Sequence, residues 1–202
     1  MRIFSKQYFF YTTLILAIST NAFSQEFSYD FIQGTYSSSS VDIGSGYGDI
    51  DASGFGASGS FSITPNIALT GSFGTTNFDT FLGVDIDATE FTFGITAHTA
   101  IAPKTDIYGG FSVLMADMEA SDGVITVSDD DTGNVISAGL RHMVSDNVEL
   151  NAGFSLVDVF EDTSNSFGLG ARFYSEENVS FGIGYTTGDD VDTILLNARI
   201  DI

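Results

Sequence analysis

The strongest constraint on this chain is an alternation that recurs along most of its length. From Val135 to Leu156 the sequence reads VISAGLRHMVSDNVELNAGFSL, two strands about a turn at Ser145-Asp146-Asn147. Val148, Leu150, Ala152, Phe154 and Leu156 point one way, while Glu149, Asn151, Gly153 and Ser155 point the other. Ile136, Ala138 and Leu140 alternate with Ser137, Gly139 and Arg141 in the same manner. The polar face is mostly Gly, Ser, Asn and Thr, with a rare charge. A face that small and that sparsely charged suits a narrow interior better than a surface in water.

The rest of the chain repeats this hairpin. Short turns lie at Thr64-Pro65-Asn66, Ala102-Pro103-Lys104-Thr105, Ser145-Asp146-Asn147 and Ser175 to Asn178. Both prolines sit in these turns, where a fixed φ and a missing N–H do no harm. Longer, acidic connections alternate with them: 38–51, 79–87, 119–131, 160–165 and 187–192. Strict alternation gathers the acidic loops at one end and the short turns at the other. The spacing predicts ten strands, over 27–37, 52–63, 67–78, 88–101, 106–118, 133–144, 147–160, 165–174, 179–187 and 192–202. An arrangement of eight strands with one hairpin outside the barrel is the alternative.

The start of the chain is a different kind of segment. Arg2 and Lys6 precede an apolar run from Tyr8 to Ile18, and Ala22 and Ser24 are the small residues of a cut before Gln25. Residues 1–24 are therefore expected to be a secretory signal peptide, leaving 25–202 as one barrel domain. With 6 Lys+Arg against 27 Asp+Glu, a nucleic-acid partner is excluded, because phosphate binding needs clustered cations. The absence of Cys removes disulfides, thiolate metal sites and thiol chemistry.

Each strand is long enough to cross a membrane, and lipid requires a sheet to close on itself. One face reads Phe55, Ala57, Phe61, Ile63; Ile67, Leu69, Phe73; Phe91, Phe93, Ile95, Ala97; Ile107, Phe111, Val113. It continues as Phe167, Leu169, Ala171, Phe173; Val179, Phe181, Ile183, Tyr185; and Ile194, Leu196, Ala198, Ile200, Ile202. No charge falls among them. A soluble barrel would bury these side chains and need a charged exterior, which the Gly/Ser face does not supply. The expected fold is all-β: a closed antiparallel transmembrane up-and-down β-barrel. In this pattern the mature chain resembles the small outer-membrane β-barrel proteins of Gram-negative bacteria, the OmpA/OmpX-like group. The resemblance implies outer-membrane lipid and lipopolysaccharide as surroundings, and the barrel assembly machinery as a partner during biogenesis. It implies short turns on the periplasmic side and acidic loops outside. The last strand resembles the terminal assembly signal of such barrels, although it ends in Ile202 where Phe or Tyr is usual and carries Asn197 in place of the usual Gly. The barrel is expected to be a monomer.

Three cations recur at matching places. Arg141, Arg172 and Arg199 lie three or four residues before a short turn or the terminus, on the lumen face, and His98 occupies a similar position. Asp30, Glu149 and Asp201 lie near the same level and Glu90 higher. The structural reading is a salt-bridge belt that plugs the lumen, with Arg141 meeting Glu149 and Arg199 meeting Asp30. The alternative is a selectivity ring in a narrow passive pore. Barrel enzymes of the outer membrane, as the resemblance implies, need a His-containing cluster in the outer half. His98 is low in the lumen and His142 is close to a short turn, so no catalytic residue is assigned. The runs Asp129-Asp130-Asp131 and Asp189-Asp190-x-Asp192 are oxygen-rich and are the candidate ligands for loosely held Ca²⁺ or Mg²⁺; no other cofactor is expected. The GxGxxG match at Gly54 to Gly59 lies inside a strand with no helix after it, so it is not a dinucleotide site. The expected function is a structural or surface-interaction role, with a pore second and a lipid-modifying or proteolytic enzyme third.

Overall fold

A computed structural model describes residues 27–44, 48–160, 162–176 and 178–202. The signal peptide expected over 1–24 lies outside the described residues. Ten antiparallel strands follow in order: β1 (Phe31–Asp42), β2 (Asp49–Thr64), β3 (Ile67–Phe81), β4 (Val84–Ala102), β5 (Thr105–Ser121), β6 (Thr126–Met143), β7 (Val148–Val159), β8 (Asp162–Tyr174), β9 (Val179–Gly188) and β10 (Val191–Asp201). Each pairs with its neighbours in sequence, and β1 pairs with β10, so the sheet closes. The closing seam runs from Phe31 opposite Asp201 to Val41 opposite Val191. This is the ten-strand barrel; all four hairpins at the short-turn end belong to it.

The two faces divide as the alternation predicts. Outward lie Phe55, Phe61, Phe93, Phe111, Phe167, Leu169, Phe181, Ile183, Ile194 and Leu196, all exposed, Phe55 by 69 %. Inward lie Gln33, Thr35, Ser37, Ser58, Ser60, Thr70, Ser72, Thr96, Ser155, Ser180 and Thr193, all buried. Large apolar side chains outside and small hydroxyls inside invert the plan of a soluble barrel. Lipid is the only solvent that makes such an exterior favourable.

The strand ends differ from the sequence reading. The acidic connections expected as loops are mostly paired strand. β1 runs to Asp42, β3 to Phe81, and β5 and β6 together take in Glu119–Ser121 and Thr126–Asp131. Hydrogen-bonded pairing does not depend on apolar side chains, so the ladders continue past the point where the apolar alternation stops. The connections that remain are tight. Leu82 (φ 52) and Gly83 (φ 81) form the two-residue link of β3 and β4, both in the left-handed region that a twisted hairpin prefers. At the tip of β5–β6, the Asp122 carboxylate accepts the N–H of Val124 (2.9 Å) and of Ile125 (2.8 Å).

At the start, β1 begins at Phe31 rather than near residue 27. Phe27 and Tyr29 are buried, 4 % and 1 % exposed, because this segment turns into the barrel mouth instead of extending the strand.

Two outcomes test this arrangement. Phe111→Arg, at the middle of β5's outer face, should cost about 2–4 kcal/mol in equilibrium unfolding from lipid vesicles, while Asp117→Arg, above the apolar band, should cost about 0–1. Equal costs would mean that this face does not meet lipid. The amide hydrogen bonds onto Asp122 hold its carboxyl below the usual carboxylate range. Such a depressed pKa contributes order above the unfolded value and loses it as pH falls through the folded one. Exchange protection of the Val124 and Ile125 amides should therefore persist at pH 5–6 and collapse only below the unfolded value of about 4. Protection unchanged at pH 2 would remove the role assigned to this cap.

Candidate functional site

The side chains inside the lumen fall into three levels. The level at the short-turn end is ionic and aromatic. Arg141 on β6 and Glu149 on β7 face each other through two parallel bonds, Nε to Oε1 at 2.7 Å and Nη2 to Oε2 at 2.5 Å. Both side chains are sealed from solvent, at 0 % and 1 % exposure. A guanidinium fork meeting a carboxylate in this way is the geometry in which a buried pair can offset its desolvation. The Tyr174 hydroxyl donates to Glu149 Oε2 at 2.7 Å, and Arg141 Nη2 also reaches that hydroxyl at 3.3 Å.

The other two arginines have different partners. Arg172 lies opposite Glu149 in the β7–β8 register, but its guanidinium donates to Gln33 Oε1 (2.6 Å) and Ser180 Oγ (3.0 Å). Arg199 donates to Asp201 on its own strand, Nε to Oδ1 at 2.6 Å, and to the Ser28 carbonyl at 2.5 Å. The expected Arg199–Asp30 pair is absent. β1 places Phe31 and Gln33 inside, so Asp30 falls on the other parity. Its carboxylate instead accepts the Ser62 N–H at 2.5 Å.

The N-terminal residues seal this level. Phe27 lies under the Arg141 guanidinium, 4.6 Å from ring centroid to Cζ, and Phe31 lies 3.9 Å from that of Arg199. Tyr29 stacks on His98 with centroids 3.6 Å apart. Tyr108, in register with His98 on one side and Gly139 on the other, lies across the inner wall. It can do so only because Gly139 has no side chain: a Cβ there would stand 1.8 Å from the Tyr108 hydroxyl. Asp106, 1 % exposed, completes the level. Sequence reading missed Asp106 and Tyr108, although they alternate with the outward Ile107. It treated them as the restart after a turn, and the parity that places them inside was already available.

The middle level is small and polar, and a cavity of about 40 Å³ sits there beside Gln33, Thr35, Asn151, Arg172 and Asn197. About 10–15 Å³ of such space is enough for one water molecule, so water fits here. The Asn151 and Asn197 side chains lie over Gly170 and Gly182, whose missing Cβ atoms make room for them. The outer level is apolar, which the sequence reading did not anticipate. Ala88, Leu114, Ala116, Val135, Val157, Val159 and Phe160 form one buried cluster, with Phe78 and Met118 against it. Glu90, 5 % exposed, faces inward on β4 between this cluster and the hydroxyls below.

The remaining candidates do not converge. Asp131 accepts the Phe160 and Thr132 amides, Asp189 is engaged by Asn165, and Asp129 and Asp130 alternate faces on β6. Asp192 lies on β10 within reach of Thr187 and Tyr185. Among the described residues no three His, Cys, Asp or Glu side chains are placed to hold a metal ion together. His98 is covered by Tyr29, and the outward His142 exchanges a hydrogen bond with Thr105 (2.8 Å) beside a short turn.

Two pairs of variants probe the level at the short-turn end. Glu149→Leu alone should cost about 3–5 kcal/mol in unfolding, and Arg141→Met/Glu149→Leu together should recover most of it, since the single change strands a buried cation. Additive losses would show that the pair is not coupled. Gly139→Ala should cost about 1–3 kcal/mol by overpacking, and Tyr108→Ala should relieve it only in part, because the Ala152 carbonyl oxygen would still crowd the new Cβ; no relief at all would place the strain at that carbonyl.

The family model described as "Outer membrane protein beta-barrel domain" matches residues 10–186. No match emerges among curated proteins. Among solved structures, the translocator domain of the autotransporter NalP from Neisseria meningitidis is 9 % identical, with TM-score 0.53 over 85 % of this chain and 87 % of that one. The β domain of the Bordetella autotransporter BrkA is 14 % identical, with TM-score 0.51 over 87 % and 100 %. Neisserial surface protein A is 13 % identical, with TM-score 0.49 over 87 % and 98 %. At these identities the likeness is one of fold. With a lipid-facing exterior, a closed ten-strand sheet and a family match over most of its length, this chain belongs to the outer membrane protein β-barrel domain family and resides in the outer membrane.

Proposed function

We propose that this protein is a closed barrel: it neither conducts nor catalyses, and it presents acidic hairpins at the cell surface. The filled lumen carries this reading. The periplasmic mouth is occupied by Phe27, Tyr29, Tyr108 and the Arg141–Glu149 pair, and the outer mouth by the apolar cluster around Leu114 and Phe160. An ion would need to displace a bidentate buried pair at one end and enter a dry constriction at the other.

Its surroundings are outer-membrane lipid and, on the outer side, lipopolysaccharide. Asp87 opposite Glu119 and Asp117 opposite Asp130 set like charges side by side on the outward face above the apolar band. Ca²⁺ or Mg²⁺ shared loosely with the anionic sugars of neighbouring lipopolysaccharide would relieve that repulsion. The chain acts as a monomer and meets the barrel assembly machinery during biogenesis.

Planar-bilayer recording of the purified barrel tests the closed lumen. Wild type should give no steady single-channel steps, and Phe27→Ala/Tyr29→Ala should still be non-conducting because the outer cluster remains. Steady steps in wild type that vanish when lumen residues such as Ser58 or Thr70 are enlarged to Phe would replace this reading with that of a narrow passive pore.

A further inference from the structure

Three arginines lie inside the lumen, and two of them have a carboxylate. Arg141 is held by Glu149 and Arg199 by Asp201. Arg172 is the exception. It is buried, at 9 % exposure, and its guanidinium donates to neutral oxygens, Gln33 Oε1 at 2.6 Å and Ser180 Oγ at 3.0 Å. Among the described residues no carboxylate lies within ion-pair distance of it.

The nearby acids are committed elsewhere. Glu149, the register partner of Arg172 on β7, has Oε1 on Arg141 Nε and Oε2 on Arg141 Nη2 and the Tyr174 hydroxyl. Asp30 accepts the Ser62 amide on β2. Asp106 stands opposite Arg141 on β5, three strands away from Arg172 on β8. Glu90 lies on β4, across the barrel. A buried cation without a counter-charge is costly, because the interior screens it poorly.

Arg172 borders the cavity of about 40 Å³ in the middle level. At 10–15 Å³ for each water, this is room for about three water-sized particles. Gly170, Gly182 and Gly184 leave the wall bare there, and the other side chains that face the space include the amides of Asn151 and Asn197. Asn197 Oδ1 is buried without a hydrogen-bond partner. Turned over, that amide offers an N–H at the same place. A fixed guanidinium, amide donors and a small enclosed space together favour an anion. A metal cation would be repelled by Arg172, and water alone would fill the volume but leave the charge unanswered. The size admits a halide and excludes a phosphate ester or a sugar acid.

We propose that the lumen holds one small monovalent anion, of the size of chloride, beside Arg172, as the counter-ion of its third arginine. The site goes beyond the closed-barrel reading and needs no pore: the ion enters as the sheet closes and stays as part of the folded structure.

The test refolds the whole barrel into vesicles of zwitterionic lipid, in sodium chloride or sodium gluconate of equal ionic strength, and follows unfolding in urea. Above the Kd, each further tenfold of chloride should raise the wild-type folding equilibrium constant about tenfold, while gluconate should leave it unchanged. Arg172→Gln should make stability independent of chloride. Gly184→Val keeps Arg172 and fills the space instead; a Cβ at residue 184 meets its neighbours at ordinary distances of 3.5–3.6 Å. It too should abolish the chloride dependence, and it decides the question alone if Arg172→Gln does not fold. Crystals of wild type refolded in bromide should show an anomalous peak within hydrogen-bond reach of the Arg172 guanidinium, absent in Gly184→Val. A wild type indifferent to chloride would overturn the proposal. So would a chloride effect of equal size in either variant, which marks a general salt effect, or crystals with water and no bromide in the cavity.

Discussion

Everything in this molecule depends on the pairing of β1 with β10. In hydrocarbon an unpaired backbone amide has no water to turn to, so a ten-strand sheet with an open edge would not persist there. The seam, Phe31 opposite Asp201 through Val41 opposite Val191, removes both edges at once. Closure also converts a local property into a global one. Alternation along any strand only says that there are two faces; once the sheet is closed, those faces become an inside and an outside. The apolar set, with Phe55, Phe111 and Phe181, then meets lipid, and the Ser, Thr and Gly set must fill a narrow tube.

Filling that tube explains the level at the short-turn end. A guanidinium inside a narrow tube needs a partner for its charge and something flat against its faces. Arg141 has both: the Glu149 carboxylate in plane and the Phe27 ring against its face. Arg199 repeats the arrangement with Asp201 and Phe31, and there the contacts span the seam, since Arg199 is on the last strand and Phe31 on the first. The ion pairs and rings at this end are thus part of how the barrel is closed, and not only of how the lumen is filled.

The alternation of apolar residues carried a great deal of this in the sequence. Strand number, the inner and outer faces, the side on which the acids gather and the meeting of Arg141 with Glu149 across a short turn all follow from parity and spacing. Three features did not follow, each for a physical reason. The strands outlast the apolar pattern because backbone pairing is indifferent to side-chain polarity, so Glu119 to Asp131 read as loop and folds largely as hairpin. Phe27 and Tyr29 continue the alternation of β1 but leave the sheet, because their rings find His98 and Arg141, residues more than sixty positions away in the chain. The outer apolar cluster draws single residues from several strands, Leu114, Val135, Val157 and Phe160 among them, and no short window of sequence holds enough of it to be seen.

The described cations, Lys104, Arg141, Arg172 and Arg199, all lie toward the short-turn end, while the carboxylates of the long hairpins crowd the other. In the orientation proposed above, with the acidic hairpins at the cell surface, the acidic end crosses the hydrocarbon once. Ions carry an effective penalty of several kcal/mol each when taken out of water. Asp117, Glu119, Asp122, Asp129 and Asp130 therefore make the return journey of a single hairpin costly, before any lost contact is counted. The charge distribution acts as a ratchet: slow to pass, then directional. Residence in the membrane is accordingly set by a barrier and a lifetime as much as by an equilibrium.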